Sequence, residues 1–324
     1  MVKKYFYITM SLFLIGCMLS CFSACDFASD SSDEDKLEVI VTIFPPYDFV
    51  RQIAGDNVKI TQLIPLGSES HTYEPTAAEL LKIQKCDLFI YTGGESDVWV
   101  EKILSSLETN NVELLTLMSC CRTLEEETVE GTQGNENNHE HEHEHEHELD
   151  AHVWTSPKRA IEIVEKIADT LIKLDAQNTA VYEENKTSYL AKLRELDEAY
   201  AQAVSEASGD TVIIADRFPF RYLAHDYNIK YFAAFKGCSS DVSDPSAATV
   251  KFLIDKVNEK NIPTVFYIEF SNQRMADTVM ESTSAQKAQL HSCHNLTAQE
   301  LDRGETYLSL MTANLENLKT ALDY

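Results

Sequence analysis

The residues best suited to chemistry are five histidines that alternate with glutamates in the segment 139–147. They are His139, His141, His143, His145 and His147. Imidazole nitrogen binds Zn²⁺, Cu²⁺ and Ni²⁺, and the alternating carboxylates add negative charge that attracts these cations. Glycine and asparagine flank the run, so it cannot build a core, and we predict an accessory metal-collecting loop over residues 135–148. A polar insertion without a function, or the remnant of an affinity tag, is the alternative.

Two more histidines stand alone in loops that directly precede predicted helices. His71 lies in the segment 65–76, where a strand ends, and His152 lies in the segment 149–157. A single loop histidine is usually structural or solvated. Two histidines in equivalent settings, on a chain that also carries a histidine-rich loop, indicate a pair of metal ligands instead.

Composition limits the classes of partner. The chain has 324 residues, 44% of them hydrophobic, which is enough for two domains with packed cores. Its formal net charge of −26 argues against nucleic acid and anionic lipid surfaces as partners, because both repel an acidic protein. The same charge suits a protein that concentrates cations, although many acidic surfaces only keep proteins soluble.

The first 25 residues have the pattern of an export signal. Lys3 and Lys4 form a positive start, and the segment 5–19 is almost wholly apolar. Small residues then precede Cys25, which resembles the bacterial lipobox, so we predict that Cys25 carries the lipid. The alternatives are Cys21, Cys17 and an ordinary cleaved signal peptide.

Residues 26–36 are polar and acidic, and we interpret them as a tether. No later segment holds the ~18 consecutive apolar residues that would span a bilayer. The sequence therefore predicts a protein exported and held by its lipid on the outer face of the cytoplasmic membrane, or in the periplasm.

Five cysteines remain beyond this region. They are Cys86, Cys120, Cys121, Cys238 and Cys293. Cys86 lies in an apolar run and is expected in the core. A disulfide between Cys238 and Cys293 is possible in an oxidising compartment, whereas a zinc–thiolate site would need Cys-x-x-Cys pairs, which the sequence lacks.

Short β-branched runs alternate with helical spacing along the chain. We predict strands at 38–43, 58–64, 86–91 and 112–117, with helices at 47–54, 76–84, 98–107 and 157–174. A second set has strands at 211–215, 229–234, 264–269 and 288–292, with helices at 218–226, 247–259, 272–281 and 305–322. This βαβ rhythm predicts parallel sheets.

Between the two sets, residues 179–207 carry one apolar stripe with a spacing of three to four residues. We predict an α/β protein of two lobes, each a mostly parallel sheet flanked by helices, joined by one long rigid helix. The expected boundaries are 37–177 for the first lobe, 178–208 for the linking helix and 209–324 for the second lobe.

Three segments resemble the zinc/manganese-class solute-binding proteins of bacterial ABC transporters. They are Thr42–Phe49, Gly67–Pro75 and Ala151–Pro157. The resemblance extends from about residue 37 to the C-terminus. It implies a monomer that binds Zn²⁺, rather than Mn²⁺, in an interlobe cleft and works with permease and ATPase subunits. His71 and His152 match the family's two ligands from the first lobe.

The second lobe departs from the family pattern. Arg217 occupies the position where the family commonly offers His or Glu, and a guanidinium cannot bind metal. His294 lies near the family's last ligand position and is our predicted third ligand. Glu269 and His291 are the weaker candidates, and Glu269 could instead pair with Arg217. His225 is expected on the surface of a helix.

Other functions are less well supported. The sequence His-Glu-x-x-His occurs at 139–143, but a zinc hydrolase needs it on a buried helix, so we predict no enzyme. An adhesion lipoprotein and an extracellular zinc buffer are the remaining alternatives, and the buffer is the harder one to exclude.

Overall fold

Two four-stranded parallel sheets form the framework of the described residues. The computed structural model describes residues 36–68, 73–106, 109, 111–132, 148–237 and 246–323. The first sheet contains β1 (Leu37–Val41), β2 (Val58–Gln62), β3 (Leu88–Tyr91) and β4 (Glu113–Thr116), in the order β2–β1–β3–β4. The second contains β5 (Thr211–Phe218), β6 (Lys230–Lys236), β7 (Thr264–Tyr267) and β8 (Gln286–Gln289), in the order β6–β5–β7–β8. The strands pair in parallel in both sheets.

Helices flank each sheet. Those of the first lobe are α1 (Phe44–Ala54), α2 (Ala77–Ile83), α3 (Val98–Leu104) and α4 (Pro157–Leu174). Those of the second lobe are α6 (Arg221–Tyr227), α7 (Ala247–Lys260), α8 (Arg274–Glu281), α9 (Ala298–Asp302) and α10 (Tyr307–Leu322). Thr76 begins α2 with a capping box, in which its hydroxyl accepts from the Glu79 backbone and the Glu79 carboxylate bonds back to Thr76.

The long helix α5 (Thr179–Glu206) joins the lobes, as the apolar stripe predicts. Its 28 residues span ~42 Å at 1.5 Å per residue. It packs against α1 and α4 of the first lobe and against α10 of the second. No helix in the described part of the chain is both long enough and apolar enough to cross a bilayer.

One hydrophobic core extends through both lobes. It includes Val41 and Ile90 from the first sheet together with Ile214 and Phe266 from the second. Tyr200 of α5 lies in the same core and donates a hydrogen bond of 2.7 Å to a backbone carbonyl of α10. Since apolar surface of each lobe is buried against the other, the lobes stabilise one another.

An ion pair also joins the lobes beside this core. Arg159 of α4 donates from Nε and Nη2 to the two carboxylate oxygens of Asp226 in α6, at 2.8 Å each. The hydroxyl of Ser156, which begins α4, donates to the same carboxylate at 2.8 Å. Burial alone would raise the pKa of Asp226, but these donors hold it below its ordinary value.

The structure confirms the predicted architecture and changes several element boundaries. The strand β5 continues to Phe218, and α6 begins only at Arg221, because the pairing of β5 with β6 shifts register between Ile214 and Arg217. The strand β8 ends at Gln289, three residues before the predicted end, and the chain then crosses to the first lobe. The short helix α9 was not predicted.

We expect Asp226→Ala to lower the free energy of unfolding by about 3–5 kcal/mol, since the variant leaves the Arg159 guanidinium buried without its carboxylate. The folded-state pKa of Asp226 lies below its unfolded value, so its stabilisation exists above about pH 4 and is lost as the pH falls further. The difference between the two proteins should therefore shrink below about pH 4. Urea denaturation with a metal chelator present measures both effects.

Asp210→Ala is the matched control. Asp210 pairs with Lys230 at 2.6 Å, but both side chains are more than half exposed. Loss of this pair should cost no more than about 1 kcal/mol. Equal losses in the two variants would contradict the role given to the buried pair.

Candidate metal-binding site

A cleft lies at the carboxyl ends of the strands of the second sheet, which is where open α/β sheets bind ligands. It encloses about 340 Å³, open solvent included. The described residues that line it are Ser68, His152, Arg217, Pro219, Gly237, Ile268, Glu269, Phe270, Ser292 and His294. Ser68 and His152 belong to the first lobe and the others to the second. Of the predicted ligands, the cleft therefore brings together His152, Glu269 and His294.

His152 is held in one orientation by Asp150. Its backbone N–H donates to Asp150 Oδ1 at 2.8 Å, and its ring Nδ1 lies 3.1 Å from the same oxygen. A carboxylate only accepts, so this geometry assigns the ring proton to Nδ1 and the lone pair to Nε2. An imidazole whose second nitrogen donates to a carboxylate is a common arrangement in protein metal sites. His152 is 1% exposed.

His294 reaches the cleft on a loop that crosses from the second lobe to the first. Its carbonyl accepts a hydrogen bond of 3.2 Å from the backbone N–H of Phe44 in α1. The next residue, Asn295, donates from Nδ2 to the carbonyls of Pro65 at 2.7 Å and Ser68 at 2.9 Å. The loop that carries His294 is therefore fixed on both lobes.

The imidazoles of His152 and His294 are neighbours. Their ring centroids lie 6.1 Å apart, with an angle of 83° between the planes. With Zn–N distances of about 2.0–2.1 Å, two rings at this separation can bind one ion. One imidazole comes from each lobe, so an ion bound by both rings would join the two halves of the molecule.

Glu269 and Arg217 lie at the same cleft with different chemistry. The Glu269 carboxylate, 5% exposed, accepts hydrogen bonds from the backbone N–H and the hydroxyl of Ser292. The register shift in β5 precedes Arg217, which lines the cleft with a permanent positive charge and no lone pair for a metal. The neighbouring Asp216 has its pKa raised by burial.

The geometry favours a structural role for His291. The backbone N–H of His291 donates to Asn314 Oδ1, and the His291 carbonyl accepts from Asn314 Nδ2, at 2.7 Å each. The ring Nδ1 of His291 accepts from the backbone N–H of Cys293 at 2.9 Å. Its Nε2 lies 3.6 Å from Glu300.

A known family model covers most of the chain. The model described as "ZnuA: Zinc-uptake complex component A periplasmic" matches residues 39–321. The chain belongs to this family.

Two curated relatives show how far the likeness to ZnuA-family proteins extends. Zinc-binding lipoprotein AdcA of Streptococcus pneumoniae strain R6 is 33% identical over 316 residues, which are 97% of this chain and 59% of the relative. This chain therefore spans about three fifths of that protein. High-affinity zinc uptake system protein ZnuA of Bacillus subtilis is 32% identical over 315 residues, 96% of this chain and 97% of the relative.

A solved structure supports the same family assignment. The crystal structure of the Zn(II)-bound ZnuA-like domain of S. pneumoniae AdcA has a TM-score of 0.73 and 33% identity, and it covers 89% of this chain and 100% of the domain. The family resemblance deduced from the three sequence segments is therefore confirmed.

Several predicted site residues lie outside the described residues. They are His71, the five histidines at 139–147, the lipidation candidate Cys25, and Cys238 of the predicted disulfide. Its partner Cys293 is fully buried, with Sγ 3.8 Å from the His291 carbonyl. Within the described ranges, no group of three or more His, Cys, Asp or Glu side chains is arranged to hold a metal. The predicted role of His71 stays a prediction.

Sequence reasoning missed Gly237. A Cβ atom added there would lie 2.7 Å from the carbonyl oxygen of Phe218 and 3.4 Å from Cε1 of His152. Only a glycine lets the end of β6 pack this closely on β5 beside the ligand ring. The Gly-Cys dipeptide at the end of a predicted strand was the one available signal.

We expect Gly237→Ala to lower the free energy of unfolding by about 1–3 kcal/mol, because the added methyl group overpacks this contact. It should also weaken Zn²⁺ binding, since relief of the clash moves β6 or the His152 ring. Gly304→Ala is the control: its φ of +73° makes alanine strained, but its Cβ meets no atom within 4 Å. Calorimetric titration should find weaker binding only in Gly237→Ala; unchanged binding would contradict this role of Gly237.

Proposed function

We propose that this protein is an extracytoplasmic receptor that binds Zn²⁺ in the interlobe cleft and delivers it to an ABC permease for uptake. One observation carries the proposal: two buried imidazoles, one from each lobe, lie 6.1 Å apart at the carboxyl ends of the strands of the second sheet. The zinc-uptake description of the family and the zinc named in both relatives support the same cargo.

The proposed ligand set is His71, His152 and His294. Neutral imidazole nitrogens with a roughly tetrahedral arrangement suit Zn²⁺, whereas Mn²⁺ favours sites rich in carboxylate and water oxygens. A fourth position is open to a water molecule or a further donor. Because a histidine must lose its proton to bind metal, affinity should fall as the pH drops through about 6.5.

The surroundings of the two described imidazoles favour a cation. The carboxylate of Asp150 bonds to the ring of His152, and the carboxylate of Glu269 lies at the cleft near His294. Both groups partly offset the charge of a bound ion, while Arg217 opposes it. The two carboxylates attract a buried dication and Arg217 repels it, so the net charge of these three groups is negative and favours binding of the ion.

The cellular arrangement follows from the N-terminal segment and the relatives. A lipid on Cys25 would hold the protein on the outer face of the membrane, and one of the relatives is named a lipoprotein. The partners would be the permease and ATPase subunits of one transporter, with the protein acting as a monomer. We assign it no enzymatic activity. An extracellular buffer that binds zinc without a permease is the competing function.

Single replacement of the ligands tests the zinc site. We expect His152→Ala and His294→Ala each to weaken the tight Zn²⁺ site by more than about 100-fold, since loss of a ligand should exceed the 10–100-fold effects of supporting residues. His225→Ala is the control, because the His225 side chain is 47% exposed on α6. Competition with a chelator of known affinity measures the tight site. Unchanged affinity in both ligand variants would overturn the proposal.

Transport is separated from buffering by uptake. Cells that lack the protein but keep its permease should take up less ⁶⁵Zn at low external zinc, and the intact gene should restore uptake while the His294→Ala form does not. Equal uptake with and without the protein would favour the buffer.

Deletion of residues 135–148 tests the accessory loop. The tight site should remain, and the weaker sites should disappear from a calorimetric titration, because the loop's imidazoles are proposed to collect ions beside the cleft and not within it. Loss of the tight site would reject this division of roles.

A further inference from the structure

We propose that Glu269 is a positioning residue and not a metal ligand, and that it acts with Trp154 to hold His294 beside His152. This inference deepens the proposed function and rests on it. The contacts that carry it form a chain from Glu269 through Ser292 to both imidazoles.

Both oxygens of Glu269 are already committed to one residue. Oε2 accepts the backbone N–H of Ser292 at 2.7 Å, and Oε1 accepts the Ser292 hydroxyl. The two side chains are buried, so neither bond competes with water. A hydrogen bond to a buried carboxylate is strong, and two from a single residue fix its position and orientation. A metal bound to Glu269 would have to use the lone pair that each oxygen retains, so the variants described below decide between the two roles.

Ser292 in turn bonds to His294 and to Trp154 of the first lobe. Its hydroxyl oxygen accepts the N–H of His294 at 3.3 Å, and its carbonyl accepts Nε1–H of Trp154 at 2.8 Å. Glu269 therefore fixes Ser292, and Ser292 fixes both the ligand two residues later and the indole of the opposite lobe.

Trp154 touches both imidazoles. Its ring centroid lies 5.5 Å from that of His152 and 5.3 Å from that of His294. The indole is fully buried, and the Trp154 carbonyl accepts the hydroxyl of Tyr307 at 2.6 Å. Both ends of this residue are thus held by the second lobe, although it belongs to the turn Val153–Thr155 of the first. The indole is a rigid spacer between the two ligands.

The backbone around this chain is in an unfavourable conformation. Phe270, next to Glu269, has φ of 60°, and Cys293, between Ser292 and His294, has φ of 59°. Non-glycine residues in the left-handed region are uncommon and cost free energy, so they persist only where surrounding contacts determine them. The bonds of Glu269 to Ser292 are, among the contacts that hold this loop, the ones beside Cys293, and their loss should let the backbone at Ser292 and Cys293 relax.

The experiment compares Glu269→Gln with Glu269→Ala in the full mature chain. A glutamine keeps one oxygen to accept the Ser292 N–H and an amide to meet the Ser292 hydroxyl, so we expect Zn²⁺ affinity within about threefold of wild type. Alanine removes both bonds, and we expect a 10–100-fold loss, typical of residues that support metal ligands. The Co²⁺-loaded proteins add a readout of geometry: the visible absorption bands should match wild type in Glu269→Gln and shift in Glu269→Ala.

A ligand role makes the opposite prediction. If Glu269 binds the ion, Glu269→Gln should lose as much affinity as Glu269→Ala and should shift the Co²⁺ bands, and either result would overturn the proposal. Trp154→Phe, which keeps a ring but removes the donor to Ser292, should weaken Zn²⁺ binding about tenfold. This variant tests the chain of contacts from Glu269 through Ser292 to the imidazoles even if Glu269→Ala does not fold. Unchanged Zn²⁺ affinity in Trp154→Phe would also overturn the proposal. Glu281→Gln, an exposed carboxylate of the same lobe, should behave as wild type.

These outcomes are separate from failure of the proposed function. If His152→Ala and His294→Ala leave Zn²⁺ binding intact, the cleft is not the zinc site, whatever the Glu269 variants do. If both ligand variants lose binding and Glu269→Gln does so too, only the positioning role fails.

Discussion

The loop from His291 to Leu296 must lie across both lobes for the site to exist. It leaves the second sheet after β8, bonds to Phe44, Pro65 and Ser68 of the first lobe, and carries His294 between them. Its backbone includes a left-handed cysteine, so it cannot take this course by local preference alone. Hydrogen bonds with Glu269, Trp154 and Asn314 stabilise the loop in this conformation. The pairing of His152 with His294 depends on all of them.

The charges around the site follow a consistent physical pattern. The carboxylate of Asp150 bonds to the ring of His152, and the carboxylate of Glu269 bonds to Ser292 in the loop that carries His294. In the proposed site both groups support the imidazoles without binding the metal. The family's usual ligand at position 217 is replaced by a guanidinium, which weakens the attraction for a cation on that side. A site built mainly from nitrogen donors neutralises less of the ion's charge than a carboxylate site, but it favours the softer ions, in agreement with the proposed zinc cargo.

The sequence was sufficient for features that depend on local patterns. The two α/β lobes, the linking helix and the position of His152 before α4 all follow from periodicity and loop spacing. The roles of Glu269, Ser292 and Trp154 do not, because the bond from Trp154 to Ser292 joins residues 138 positions apart. The need for glycine at 237 arises from the carbonyl of Phe218 in a neighbouring strand, and the shift in β5 has no local signature. Long-range packing decides these details.

The shared hydrophobic core has a consequence for how the protein matures. Each half buries part of its apolar surface in a cluster of its own, but Val41 and Ile90 pack into the same cluster as Ile214 and Phe266. An excised half would present the shared part of that surface to water, so the two halves should fold as one cooperative unit. Under the proposed function, an ion could bind between His152 and His294 only after the two halves have docked.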